Sequence, residues 1–424
     1  MAVILTSLVL ISGIAILFRY YARYKLNYWK RRGVESLPTD LIFGNFKNAA
    51  LFKTAPGWHL GELHNAAITN SPMLGFYIFH KPCILLRDLK LIKQIMVRDF
   101  ENFSDRHFAG SQQKDSIGMK NLFGLKNPAW KYVRSKITPT LTKVSQFYHG
   151  IKRMIALVAV FFTPEIVELF GTRVLFNSNF IEKVFWKSME TREKTGIKRG
   201  DFIDSLIKLK NEPQNPDYKF EGENLFYQSG TFFSGFESSS TTSSFTLMEL
   251  AKHSDFQQKA REDINASIEK HGLTYEAFND MKYLDQCIAE GIRLHPPVST
   301  IDRYTRNDYQ IPGTDIVLEK GTAVYISLYG LQQDPRFFEN SLDFNPERFN
   351  SETNVSDAYI PFGVGPRMCI GMKVGQLHAK VVITMILRRY EVIQLSKDEI
   401  TLDNRSTFTA AADGINLQFK EIKS

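Results

Sequence analysis

A chain of 424 residues, 43% of them apolar, can bury one large core or two ordinary ones, and with no repeat or linker-like tract a single compact unit is favoured. The net charge of +8 comes from 53 basic residues spread among 45 acidic ones, without the clustered Lys and Arg of a nucleic-acid reader, so no nucleic-acid partner is expected. Cys83, Cys287 and Cys369 lie too far apart for a zinc or redox pair, and their number excludes a disulfide framework, as suits the reducing cytosol.

Residues 2–18 (AVILTSLVLISGIAILF) carry no charge, and as a helix they just reach across a hydrocarbon core of about 30 Å. No small-residue cleavage site follows and no basic region precedes the run, which favours an uncleaved anchor over a signal peptide. Arg19, Arg23, Lys25, Lys30, Arg31 and Arg32 come next without an acid between them, so the positive-inside rule keeps the rest of the chain on the cytosolic side. The expected division is a membrane anchor over 1–19, a basic linker over 20–40 and one large domain over 41–424.

Within that domain, MLGFYIFHKPCILLR (73–87) reads as two apolar strands around a His80-Lys81-Pro82 turn. Residues 316–329 read as further strands broken at Gly321, and FTAAADGINLQF (408–419) as a hairpin turning at Asp413-Gly414. Helical periodicity marks 88–98, 128–145, 223–253, 255–270, 278–294 and 370–390. The fold class expected is mainly α with a small β-rich lobe.

The segment from Pro361 to Gly371 (PFGVGPRMCIG) packs three glycines, two prolines and one cysteine into the approach to a helix. Such a loop is built for an unusual backbone path. Apolar positions Ile370, Val374, Leu377, Val381 and Met385 then recur at helical spacing, which sets Cys369 at a helix N-terminus, where backbone N–H groups favour a thiolate. A thiolate beside Phe362 and Met368 needs a cation.

At this point the sequence resembles the cytochrome P450 superfamily: Phe362, Gly365, Arg367, Cys369 and Gly371 match its haem-binding signature at every fixed position. The resemblance implies haem b, its iron bound axially by the Cys369 thiolate, with Arg367 paired to a propionate and the glycines admitting the macrocycle. Glu290 and Arg293, with Arg348, resemble the family's buried Glu-Arg-Arg cluster, and Trp130 and Arg134 match its Trp-x-x-x-Arg. Arg303 falls at another propionate-binding position, and Arg106 is either a fourth or a solvated arginine. Glu237 and Ser238 stand where the family's oxygen-binding helix carries an acid and an alcohol, usually threonine, that relay protons. His295 needs no role in this scheme. Phe108, Val298 and Phe408 fall in substrate-contact regions, and Glu35 replaces one of the prolines common in the hinge.

The resemblance further implies a monooxygenase of the insect microsomal type, held in the endoplasmic reticulum membrane with its catalytic domain facing the cytosol. An NADPH-dependent flavoprotein reductase, with a b-type cytochrome as a second donor, would feed electrons for oxidation of an apolar small molecule. The reductase would dock among Lys131, Lys136, Lys373, Lys380, Arg388 and Arg389. One departure matters: Lys152-Arg153-Met154 runs straight into IALVAVFFTPEIVELF, so a block of helices that relatives carry after about residue 153 is missing. A catalytically silent haem-binding remnant is therefore the alternative, and a thiolate-haem isomerase or dehydratase needing no reductase is a third reading.

Overall fold

The computed structural model describes residues 2–107, 119–137, 162, 178–350, 355–395 and 400–422. Phe108 and most of 138–177, including the seam near residue 153, lie outside the described residues.

Helix α1 (Ala2–Leu26) runs seven residues past the expected anchor, and its first turns stand clear of the domain with Ile4, Leu8 and Ile11 exposed. Near its end Ala22 is buried, and α2 (Tyr28–Arg31) begins almost at once. Residues 20–40 are therefore not a free tether. Trp29 is fully buried against Gly75, where a Cβ would come within 2.4 Å of the indole, and Val34 joins the same core. The reason is local chemistry: the indole covers the sheet, while Arg32 pairs with Glu319 across the surface.

Two short helices, α3 (Lys47–Ala50) and α4 (Pro56–Asn65), precede strands β1 (Met73–Ile78) and β2 (Lys81–Leu86). The turn between them is Phe79-His80, and Lys81 and Pro82 already belong to β2. After α5 (Leu89–Lys93), capped by Asp88 at 2.8 Å from the Leu91 N–H, a π-helical turn covers Gln94–Arg98. The helical body is then built from α6 (Ala129–Ile137), α7 (Ser178–Thr195), α8 (Phe202–Asn211), α9 (Glu223–Lys252) and α10 (Ser254–His271). The pattern read as one helix over 278–294 is two, α11 (Tyr275–Asp280) and α12 (Lys282–Leu294), because Met281 leaves helical geometry to enter the core.

Strands β3 (Thr300–Tyr304), β4 (Tyr309–Gln310), β5 (Val317–Leu318) and β6 (Ala323–Ser327) come next, and the chain turns into α13 (Leu328–Gln332) where the pattern read as strand. The main sheet has the order β1-β2-β6-β3, with β2 and β6 parallel. It is buried on both faces: Met73, Tyr77, Ile84 and Val324 point into one core, and Leu74, Phe76, Cys83 and Tyr325 into another.

Helix α14 (Met372–Leu387) succeeds the cysteine loop, and β7 (Tyr390–Gln394) pairs antiparallel with β8 (Leu417–Glu421). Asp413-Gly414 does turn, with Gly414 at φ 76, yet its two flanks do not pair with each other. Phe408 bridges to Val298 and β8 joins β7, because both flanks find non-local partners.

One buried ion pair ties the helices to the cysteine loop. Glu290 and Arg293, three apart on α12, are both fully buried, with the guanidinium Nε donating to Glu290 Oε2 at 2.7 Å and Nη2 to Oε1 at 2.8 Å. The other donors of Arg293 reach the carbonyls of Gln332 at 2.9 Å, Ser341 at 2.6 Å and Asp343 at 3.0 Å. All five N–H donors are thus used. Arg348 adds a weaker contact to Glu290 at 3.3 Å, the third member that the family resemblance implied.

Candidate functional site

The cysteine loop is fixed by short local bonds before it meets any ligand. The Cys369 N–H donates to Phe362 O at 2.7 Å and the Met368 N–H to Gly365 O at 3.0 Å. Gly365 sits at φ 78 with a Cβ position only 2.1 Å from Met96 O, so no side chain fits there. Gly371 caps α14. Its N–H is bonded to the Cys369 sulfur and, with the charges of Arg134 and Arg106, draws the thiol pKa down against burial, which raises it more.

Above this loop lies a cavity of about 1000 Å³ between α9, α14 and the sheet lobe. Cys369 is enclosed by protein on most sides and open to this space, which is why it counts as exposed while its thiol is strongly desolvated. Of the residues singled out from sequence, Phe362, Arg367, Gly371, Trp130, Arg134, Arg303, Arg106, Val298, Phe408 and Ser238 line the cavity with it. Gly365 and Glu237 are not on its wall. Glu237 precedes Ser238 on α9 and is half-buried, while the Ser238 hydroxyl donates back to Gly235 O at 3.1 Å.

Three arginines face the cavity in an unusual state. Arg106, Arg303 and Arg367 each keep a buried Nε without a hydrogen-bond partner. Arg303 donates Nη1 to Asp302 O at 2.6 Å, and Arg367 donates Nη2 to Leu125 O at 2.6 Å while stacking 4.1 Å over the Trp130 ring. Burial, with the other guanidiniums nearby, pushes the pKa of Arg303 down to about 9 and that of Arg367 down to about 8. Guanidinium stays charged in proteins, so these directions measure how unfavourably the cations are held rather than a loss of protons. Asp105 and Asp302 offset part of it, at 3.5 Å from Arg367 and 3.7 Å from Arg106. The cluster suits a ligand bearing carboxylates, and the loop offers that ligand a soft sulfur donor, so the residues fit a carboxylate-bearing iron macrocycle. Arg106, left open between two roles by sequence, belongs to this group.

Sequence patterns missed much of the wall. Ser239, Thr242 and Ser243 on α9, Ile301 on β3, and His378 and Val382 on α14 line the cavity. The hydroxyl-rich run from Ser238 to Thr246 was the available signal, but Ser239, Thr242 and Ser243 donate to carbonyls four residues back, so they spend their donors on their own helix.

The basic residues read as a docking face divide. Lys131, Lys373, Arg388 and Arg389 are exposed, but Lys380 is buried and donates to Asp285 at 2.8 Å and to Phe278 O at 2.5 Å, so it is no part of a surface. Lys136 is engaged by Glu212 at 2.9 Å. His295 is held by Glu249 at 2.7 Å and stacks on Phe245, and Glu35 accepts the Ile68 N–H at 2.9 Å, so both have structural work.

Comparison with known proteins bears on the family of the chain. The family model described as Cytochrome P450 matches residues 151–419. Cytochrome P450 6k1 of Blattella germanica is 32% identical over 508 aligned positions, covering 97% of this chain and 96% of the relative. Cytochrome P450 6l1 of the same insect is 32% identical, covering 89% of each chain, and probable cytochrome P450 6g2 of Drosophila melanogaster is 30% identical, covering 92% of this chain and 94% of the relative. An alignment of 508 positions exceeds the 424 residues present, so gaps fall on this chain's side, and the family match starts beside the seam read at about residue 153.

Proposed function

The chain belongs to the cytochrome P450 family of haem-thiolate monooxygenases, and on that premise we propose that Cys369 is the axial ligand of haem b in an enzyme that oxygenates an apolar small molecule. The observation that carries this reading is the Cys369 sulfur opening on the same cavity as the unpartnered Nε groups of Arg106, Arg303 and Arg367. When bound, the haem supplies dioxygen activation and oxygen transfer.

The chain's own residues do the rest. Gly371 N–H stabilises negative charge on the Cys369 sulfur, and the three arginines with Trp130 and Arg134 would hold the propionates. Ser238 stands on the cavity wall, and its hydroxyl, bonded here to Gly235 O, would serve as a proton donor by turning from that carbonyl into the cavity, with Glu237 beside it in sequence as the acid that resupplies it. Val298, Ile301 and Phe408 give the wall an apolar lining that excludes water from the substrate.

Electrons would come from an NADPH-dependent flavoprotein reductase, with a b-type cytochrome as a second donor, at a face bearing Lys131, Lys373, Arg388 and Arg389. Helix α1 carries an apolar stretch, Ile4–Leu26, long enough to cross a bilayer and exposed until Ala22, which supports an anchor in the endoplasmic reticulum membrane with residues 41–424 as the cytosolic catalytic domain.

A second reading, a silent haem-binding remnant, is favoured by one observation: on α14, Met385 is 41% exposed and lies off the cavity wall, the bare apolar position expected if neighbouring helices are missing. A carbon monoxide difference spectrum of the reduced chain, with Cys369→Ser alongside, tests the ligand; a thiolate-type Soret band lost only in the variant is expected. NADPH consumption and product formation with added reductase then separate enzyme from remnant, and a thiolate band without turnover would favour the remnant.

A further inference from the structure

Between α12 and β3 the chain runs His295-Pro296-Pro297-Val298-Ser299, and Pro297 and Val298 reach the cavity wall. Proline has no N–H to donate, so this strip must be held through its carbonyls and its two ends. The Thr409 N–H donates to Pro297 O at 3.0 Å and the Thr409 hydroxyl to Pro296 O at 2.5 Å, and Val298 bridges to Phe408. At the sheet end the Leu328 N–H donates to Ser299 O at 2.8 Å.

The helical end is fixed by a bond that lies off the cavity wall. His295 Nε2 sits 2.7 Å from Oε1 of Glu249 on α9, and its ring stacks on Phe245 with centroids 4.8 Å apart. Burial works against charge on Glu249, yet this bond and Lys252 at 3.2 Å bring its pKa below the ordinary carboxyl value. An ionised carboxylate only accepts, so Nε2 carries the hydrogen. The two helices leave no slack, because a Cβ at Gly291 of α12 would come 2.4 Å from Thr246 Oγ1 of α9. Helix α9 also reaches the other half of the wall, where the Thr241 hydroxyl donates to Thr409 O at 3.4 Å. One helix therefore grips both Val298 and Phe408 from behind.

We propose that Glu249 and His295 are positioning residues for substrate selection: their bond sets how far the Val298 and Phe408 pair stands into the cavity, and so the width of the apolar molecule that fits beside the cysteine loop. The inference rests on the haem-thiolate reading under Proposed function and adds to it a determinant that touches no ligand. An apolar ring packed on this pair loses contact when the strip is released, whereas a ligand too small to reach the pair does not.

The test is a spectral titration of the full haem-loaded chain with imidazole and with 4-phenylimidazole, nitrogen ligands that shift the Soret band on binding and differ by one phenyl ring. His295→Phe keeps a ring on Phe245 and loses the bond, Glu249→Leu removes the acceptor together with its charge, and His295→Gln keeps a donor for Glu249. The first two should each weaken 4-phenylimidazole about fivefold and change imidazole less than about twofold, while His295→Gln stays near the parent. Val298→Ala should act in the same way, and combined with His295→Phe it should cost less than the sum, because both act on one contact. Unchanged discrimination in both bond-breaking variants overturns the positioning role and leaves the haem site standing. Equal weakening of both ligands, additive loss with Val298→Ala, or loss of haem from both variants also overturns it, as the mark of a bond that serves the fold as a whole. His295→Gln behaving like His295→Phe assigns the effect to the ring and overturns the role of the bond. A parent chain whose Soret band neither ligand shifts overturns the haem-thiolate reading and this inference with it.

Discussion

Arg293 and the trio Arg106, Arg303 and Arg367 are all guanidiniums taken largely out of water, yet the fold treats them oppositely. Arg293 has every donor matched, two of them by a carboxylate on its own helix and three by carbonyls of the segment leading to the cysteine loop. Each member of the trio leaves its buried Nε unmatched, and the charges crowd one another across a cavity. A buried polar group is normally paired by the protein itself, so the first arrangement serves the fold, while the second, which opens on the cavity as the equally unmatched Nε of Arg87 does not, is the one proposed to serve a ligand.

The largest effect should come from breaking the matched site. Arg293→Ala leaves Glu290 buried without its cation and should cost about 3–5 kcal/mol, a large share of a stability of about 5–15 kcal/mol. Denaturant unfolding would show it, and Arg293→Lys should not restore stability, because an ammonium cannot fill five fixed donor positions. A midpoint unchanged by the alanine would remove the contrast.

Lys126, beside the trio, tests the other side of the comparison by pH. Burial first, and then Arg367 and Arg106, hold its pKa down to about 8 against the favourable pull of Asp302 and Asp105. Its folded pKa is below its ordinary value, so between about 8 and 10.5 the unfolded chain binds more protons and stability rises with pH. The haem-free chain should gain about 2–3 kcal/mol from pH 7 to pH 11 from this group, and Lys126→Met should flatten that part of the profile.

A smaller and sign-sensitive effect is expected at Arg303. Arg303→Met removes one crowded cation, so the haem-free chain should become more stable by about 1 kcal/mol, while haem should pass to a scavenger protein about tenfold faster. Loss of stability in the haem-free state would place Arg303 with Arg293 instead. The smallest change belongs to the bare face of α14, where Met385→Glu should shift stability by no more than about 0.5 kcal/mol. A large loss would mean that this face is covered in the folded chain.

The elements that could be read from sequence were those whose pattern is local and long. The thirty-residue α9, the hairpin β1–β2 and the loop before Cys369 each declare themselves through periodicity or Gly/Pro content. The errors fell where a distant partner decided the outcome. Phe408 and β8 were drawn to Val298 and β7 instead of to each other, Met281 split a helix by entering the core, and Lys380 was taken from the surface by Asp285. None of those partners is near in sequence.

By itself the sequence determined the family, through the resemblance of the loop around Cys369 to its signature, and the local order of residues within one helix or one loop, because that spacing is set by covalent geometry. Only the tertiary structure decided that Arg106 joins Arg303 and Arg367, that Glu237 stands off the cavity wall while Ser238 is on it, and that Phe18 and Tyr21 meet the ring of His80. Those outcomes depend on which distant surfaces meet, and that is set by how the cores close and which polar atoms are left to be matched.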